Sequence, residues 1–164
     1  MAKAQPRTFT LTQPVELYSA NGQQHLRAYA AVYFNGQPET EFSWGNYVER
    51  IAPGAFQRAL SDGRNVIARY DHEDTFFLGQ TIDGTLKDWA DEKGLMYDIP
   101  LDPASPDHQK VVSLLERHKS QPVIKGSSFG MWPSKARYTV GETEGKTLLS
   151  ARLVCDIFEF PVRL

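Results

Sequence analysis

The stretch Val123-Ile124-Lys125-Gly126-Ser127-Ser128-Phe129-Gly130-Met131-Trp132 constrains this chain most. β-Branched and aromatic residues at its ends predict a strand. A core strand would carry bulk at its centre, whereas Gly126, Ser127, Ser128 and Gly130 leave this centre small and polar. Small residues there let a second backbone approach closely and leave room for a hydroxyl. Ser127 and Ser128 are adjacent, so a strand presents them on opposite faces. If Phe129 turns into the core, Ser127 shares its face and Ser128 points away. By pattern alone, both read as ordinary strand hydroxyls.

A second unusual stretch is Ala68-Arg69-Tyr70-Asp71-His72-Glu73-Asp74, where an apolar run from Val66 ends in a histidine among carboxylates. A serine on one strand and a histidine at the end of another are two parts of a serine hydrolase. The same histidine also fits a solvated loop. A metal site at Asp71, His72 and Asp74 would need a further ligand at fixed spacing, and no His-Glu-x-x-His occurs. His108 and His118 lie ten apart on one helix and do not share a coordination face, and His25 precedes a strand with no partner in view. Neither a metal nor a cofactor is expected.

The chain has 164 residues, 41% apolar and 23% charged, which fits one globular domain. A net charge of −2 and a pI of about 6.1 supply no basic field for nucleic acid or anionic lipid. No apolar run reaches membrane-spanning length, and the N-terminus lacks a signal-peptide core. The single cysteine, Cys155, excludes an internal disulfide and reads as a small core residue in a reducing, cytosolic setting.

Residues 1–7 read as a loose arm. Short strands are expected over 9–11 and 15–18, and a longer one over 26–34, ended by Asn35-Gly36. Residues 35–46 read as a polar loop and 47–51 as a strand. Residues 53–60 predict a short helix closing at Asp62-Gly63, with Ala55, Phe56, Ala59 and Leu60 on one face. Strands over 65–71, 76–82, 85–89 and 95–101, separated by turn residues, read as consecutive antiparallel hairpins. Ser105-Pro106-Asp107 opens the one long helix, with Ser105 as N-cap, Pro106 first and Asp107 at the positive end of the dipole. Val111, Leu114, Leu115 and His118 make its inward stripe, and the helix ends before Pro122. A last hairpin joins 137–140 to 146–160. The fold class is α+β: a mostly antiparallel β-barrel with a short helix and one longer helix, in a single domain over 1–164.

Several short motifs recur in one order. They are Ala28-Tyr29-Ala30-Ala31-Val32-Tyr33-Phe34-Asn35, Glu49-Arg50-Ile51-Ala52-Pro53-Gly54-Ala55-Phe56, and His72 with Asp74 and Leu78-Gly79. Gly84-Thr85-Leu86 and Asp91-Glu92-Lys93-Gly94-Leu95 follow. Then come the helix before Gly126-Ser127-Ser128-Phe129-Gly130, and finally Ile157-Phe158-Glu159-Phe160. In these the chain resembles the prohead (head-maturation) protease family of tailed bacteriophages, from about Leu26 to about Phe160. Met131 stands where the family often has Phe. Pro161 stands where Ser is common and removes a backbone donor. The family's C-terminal tail is absent after Leu164, which reads as trimming or self-processing.

The resemblance implies a serine endopeptidase with the fold of the herpesvirus assembly proteases. It implies Ser128 as nucleophile, His72 as general base and Glu159 as the acid that orients it; triads are recognised by geometry, not chain order. Asp156 and Glu159 are three apart, which on a regular strand puts them on opposite faces. Only the family motif selects Glu159. The implied substrates are the phage capsid protein and the scaffolding protein or scaffold region, plus the chain's own tail. The implied location is the immature head in the host cytoplasm. Association as dimers or higher homo-oligomers is expected by the same analogy, with Trp44, Trp89 and Trp132 beside loops as the hint in this sequence. The rival reading is a scaffolding module that keeps the fold without turnover.

Overall fold

A computed structural model describes the backbone of residues 7–11, 14–44, 47–71, 73–143 and 146–163, and side chains over 14–42, 48–71 and 73–130. Eleven strands are described: β1 (Arg7–Leu11), β2 (Glu16–Ala20), β3 (Gln23–Val32), β4 (Glu41–Trp44), β5 (Tyr47–Ile51), β6 (Ile67–Tyr70), β7 (Phe77–Gln80), β8 (Lys87–Ala90), β9 (Gly94–Pro100), β10 (Gly126–Thr143) and β11 (Lys146–Arg163). Two α-helices accompany them, α1 (Gln57–Ser61) and α2 (Pro106–Arg117), with one 3₁₀ turn at Pro38–Thr40. The architecture is α+β with mostly antiparallel pairing. No helix among the described residues is long and apolar enough to cross a membrane.

The strands form two sheets. In the first, the order is β1-β10-β11-β5-β4, with β6 also on β11 and β7 on β6. In the second it is β2-β3-β9-β8. β10 and β11 pair antiparallel from Gly126↔Arg163 to Thr143↔Lys146. The far edge of β11 is shared: β5 pairs it in parallel over Thr147–Ala151, and β6 in parallel over Glu159–Val162.

No closed barrel is found among the described strands. Closure would need every edge paired, but β1, β4 and β7 end the first sheet and β2 and β8 the second. The run of hairpins is also broken. β7 and β8 lie in different sheets, because the Asp83-Gly84 turn carries the chain across instead of folding it back. The Asp83 carboxylate accepts from the Thr85 hydroxyl at 2.6 Å and the Gln80 amide at 2.7 Å, which draws the turn tight. The serine strand and the first strand of the last hairpin are one strand, β10, with register shifts at Gly130/Met131 and Pro133/Lys135. The expected polar loop at 35–46 contains the 3₁₀ turn and β4. Of the expected N-terminal arm, residues 1–6 lie outside the described residues and Arg7 already belongs to β1. The side chain of Cys155 lies outside them too.

The core sits between the sheets. On β9 the pleat turns Leu95, Tyr97 and Ile99 inward, and on β3 Leu26, Ala28 and Ala30, all buried. Phe56 closes the middle, stacked at 6.1 Å on Tyr33 and edge-on at 5.6 Å to Phe129. Burying a Phe side chain contributes about 1.5–3 kcal/mol, so Phe56 and Phe129 anchor β10 firmly. The short helix expected over 53–60 begins later, as α1 at Gln57–Ser61 after a turn over 53–56; of the expected face, Ala55, Phe56 and Ala59 are buried and Leu60 is half-buried.

α2 starts as its sequence dictates: Ser105 is the N-cap, and its hydroxyl accepts from the His108 N–H at 3.4 Å. Its inward stripe differs from the expected one. His118 is exposed, and the buried histidine is His108. The His108 Nδ1 accepts from the Asp102 N–H at 2.8 Å, so its Nε2–H donates to the Leu78 carbonyl, also at 2.8 Å. The ring thus clamps the helix to β7. One residue earlier, Asp107 accepts from the Phe77 N–H at 3.2 Å.

β3 and β9 meet very closely at one point. A register shift between Tyr29 and Ala31 turns the β3 backbone toward Gly94. A Cβ at Gly94 would lie 2.0 Å from the Ala31 carbonyl oxygen and 2.9 Å from the Val32 Cα. Both are backbone atoms and cannot swing aside. Gly94→Ala is therefore expected to destabilise the fold by about 1–3 kcal/mol, the usual cost of overpacking, read as a lowered urea midpoint with an unchanged slope.

Candidate active site

The two serines of β10 part as the pleat requires. Ser127 shares the core face with Phe129 and is fully buried. Its hydroxyl lies 2.6 Å from the Tyr97 hydroxyl of β9, so this pair bridges the two sheets. Complete burial pushes the Tyr97 phenol well above its ordinary range, and the bond to Ser127 offsets this only partly. The pair remains neutral, and its role is to satisfy two buried hydroxyls in an apolar core. Ser128 takes the opposite face and is also fully buried.

Register places Ser128 in a row across the first sheet. On one side it pairs with Thr10 of β1. On the other, the pairs Ser127↔Val162 and Gly130↔Glu159 put position 128 opposite Pro161, and Pro161 pairs with Arg69 of β6. The β6 strand ends at Tyr70, and Asp71 follows in the left-handed region at φ 48°. That conformation is uncommon outside glycine, though Asp tolerates it better than most. It starts a tight reversal: the Glu73 N–H donates to the Tyr70 carbonyl at 3.0 Å, and the Phe76 N–H to the Glu73 carbonyl at 3.0 Å. An ion pair between Arg69 and Asp74 spans the reversal. Asp74 is thus engaged by a cation, while its side chain stays largely exposed. His72 lies within this reversal in sequence but outside the described residues.

Glu159 is described by its backbone alone. It stands in β11 opposite Gly130 on one side and Ile67 on the other. The strand is irregular here. Gly130 pairs with Glu159 and Met131 with Ile157, so Phe158 is an extra residue, a β-bulge. The bulge overturns the parity expected for Asp156 and Glu159. Asp156 pairs with Trp132, two residues from Gly130 on β10, so the odd separation along β11 becomes an even one on the ladder. Alternation cannot choose between the two acids. Glu159 lies where β6 joins β11, and Asp156 lies before that junction.

One polar cluster was not legible in sequence. His25, which showed no partner there, lies within β3, and its Nδ1 is 2.8 Å from Asp98 on β9. Asp98 also accepts from the Tyr18 hydroxyl at 2.6 Å, and the Arg27 Nε stands 3.4 Å away. Burial, then the neighbouring Asp98, raise the Tyr18 phenol above its usual range. The signal was present as alternate polar positions, Tyr18, His25, Arg27 and Asp98, but their pairing depends on strand register. Among the described residues no group of three or more His, Cys, Asp or Glu side chains could hold a metal ion.

Ser127 and Tyr97 give a test that separates packing from chemistry. Ser127→Ala removes the 2.6 Å hydroxyl bond to Tyr97 in a fully buried site and is expected to cost about 1–3 kcal/mol. Adding Tyr97→Phe should restore most of that loss, because removing both partners is nearly neutral. Denaturant melts of the two single variants and the double variant read this directly, and turnover of the folded fraction should change little throughout.

No curated protein and no solved structure gives a match. Residues 12–155 match the family model described as caudovirus prohead serine protease. The matched span includes His72 and Ser128 and ends four residues before Glu159. It covers most of the chain, in agreement with the motif order. This chain therefore belongs to the caudovirus prohead serine proteases, the serine peptidases of phage head maturation.

Proposed function

We propose that the chain is the endopeptidase that cuts the scaffold and capsid proteins inside the immature head and trims its own tail, using Ser128 as nucleophile, His72 as general base and Glu159 as the acid that orients the base. The observation that carries this reading is the adjacency of β10, β11 and β6. These three strands lie side by side, and the row from Ser128 crosses Pro161 to Arg69, three residues before His72. The bulge beside Glu159 supports it, since bulges are common next to active sites, where they re-aim a side chain. In this reading the likeness to the herpesvirus assembly proteases lies in fold as well as role.

The chemistry follows from the groups. His72 accepts the Ser128 hydroxyl proton as the oxygen attacks a peptide carbonyl. The same proton then passes to the leaving amine, and water repeats the cycle on the acyl-enzyme. Glu159 holds the imidazole tautomer and stabilises the imidazolium. Backbone N–H groups of the Gly126–Gly130 segment would receive the oxyanion. Dimers are the expected working form.

Capsid protein co-expressed with this chain and read by mass spectrometry supplies the assay. Ser128→Ala should lower turnover by on the order of 10⁶ while leaving the fold intact. Glu159→Gln should lose about 10⁴, with Asp156→Asn close to wild type. Equal, mild losses for the two acid variants would remove Glu159 from the mechanism. Activity of the unaltered chain should rise with pH as imidazole loses its proton. That rise should be absent in His72→Gln, and a His72→Gln variant retaining most of its turnover would exclude the proposed base. Specific activity should also climb with protein concentration. A monomer by ultracentrifugation with concentration-independent activity would dismiss the dimer.

A further inference from the structure

β10 has two sides, and they are held very differently. Along one side runs β11, tied by a short connection and paired from end to end. Along the other lies β1, five residues long, in register Arg7↔Met131, Thr8↔Gly130, Phe9↔Phe129, Thr10↔Ser128 and Leu11↔Ser127. β1 is the last strand of its sheet, so nothing beyond it would lose a partner if it left. The strand that follows it, β2, belongs to the other sheet. The pairing of β1 therefore coincides with the Ser-Ser-Phe-Gly stretch and, among the described residues, occupies the side of it opposite β11.

We infer that Arg7–Leu11 is an intramolecular plug: it fills the edge of β10 on which an extended segment of a protein substrate pairs, and it must leave for that segment to bind. The inference rests on the reading of Ser128 as nucleophile. Neighbouring strands run about 4.7–4.9 Å apart. A strand seated on this edge therefore brings its backbone within one strand spacing of Ser128. With residues 7–11 in place, the position opposite Ser128 belongs to Thr10, and Ser128 is fully buried. An edge strand is also the usual site of β-augmentation, where main-chain hydrogen bonds supply affinity without reading sequence. Exchange of one strand for another keeps the ladder bonds of β10 satisfied before and after.

The test uses the full chain with proline in β1. Adjacent strand residues point their N–H groups to opposite sides. One of Phe9→Pro and Thr10→Pro must therefore remove a bond to β10. Ser128 modification by a fluorophosphonate is followed by mass spectrometry, with amide exchange of β10 and β11 confirming the fold. The weakened plug should raise the modification rate about tenfold or more, in proportion to the released fraction. A synthetic peptide of residues 5–13 should bind the Thr10→Pro chain and slow modification again. Binding of the same peptide, fluorescently labelled, is also measured on Thr10→Pro carrying Ser128→Ala, where no chemistry is needed. Unchanged modification in both proline variants, with no peptide binding, overturns the inference. Peptide binding with no modification of any chain leaves the plug standing and removes Ser128 as nucleophile.

Discussion

Everything in the first sheet depends on a single long ladder. β10 and β11 satisfy one another's backbone over almost their whole length. Each then uses its outer edge to collect strands from elsewhere in the chain: β1 on β10, and β5 and β6 on β11. Neither β5 nor β6 is long enough to cover the β11 edge, so they share it. The division is what brings the end of β6, and the residues that follow it, to the half of the ladder that carries Ser128.

The adjacent serines show how one strand can hold one hydroxyl in the core and turn the next to the opposite face. Ser127 spends its hydroxyl on Tyr97, in a core where an unpaired hydroxyl is costly. Phe129, two residues on, fixes the same face against Phe56. With that face pinned, a slip of one residue would exchange Ser127 for Ser128 and drive a hydroxyl and an aromatic ring to the wrong sides. The precision with which Ser128 is presented comes from its neighbours, and chiefly from apolar contacts.

Local chemistry was legible wherever a residue acts through its own sequence neighbours. Ser105-Pro106-Asp107 announced α2, and Ala55, Phe56 and Ala59 announced a buried face, although only Ala59 lies in α1 and the other two in the turn before it. The condition on Phe129 correctly divided Ser127 from Ser128. Pairings between distant strands were not legible. The bulge at Phe158 defeated the parity argument on Asp156 and Glu159, because a bulge is a property of two strands and periodicity reads only one. The crossover at Asp83-Gly84 read as a hairpin for the same reason: a turn signal marks a change of direction but not the sheet that receives the next strand. His25 and His108 found their partners, Asp98 and the Leu78 carbonyl, only through tertiary register. The roles proposed for Ser128, His72 and Glu159 came from family motifs, since a serine on one strand and a histidine after another are common in ordinary folds.

The parallel seating of β5 and β6 on β11 also governs when this sheet can exist. Parallel partners cannot be joined by a tight turn and must wait for distant chain. Here both wait for a strand that is made long after them in the chain. Until β11 leaves the ribosome, β5 and β6 have no shared template, and β10 lacks its main partner. Slow, non-local closure of this kind ordinarily counts against a fold, because it lengthens exposure of unpaired edges. For a serine peptidase of phage head maturation it acts as a delay: β6 and β10 have nothing to hold them side by side during translation until β11 has been made.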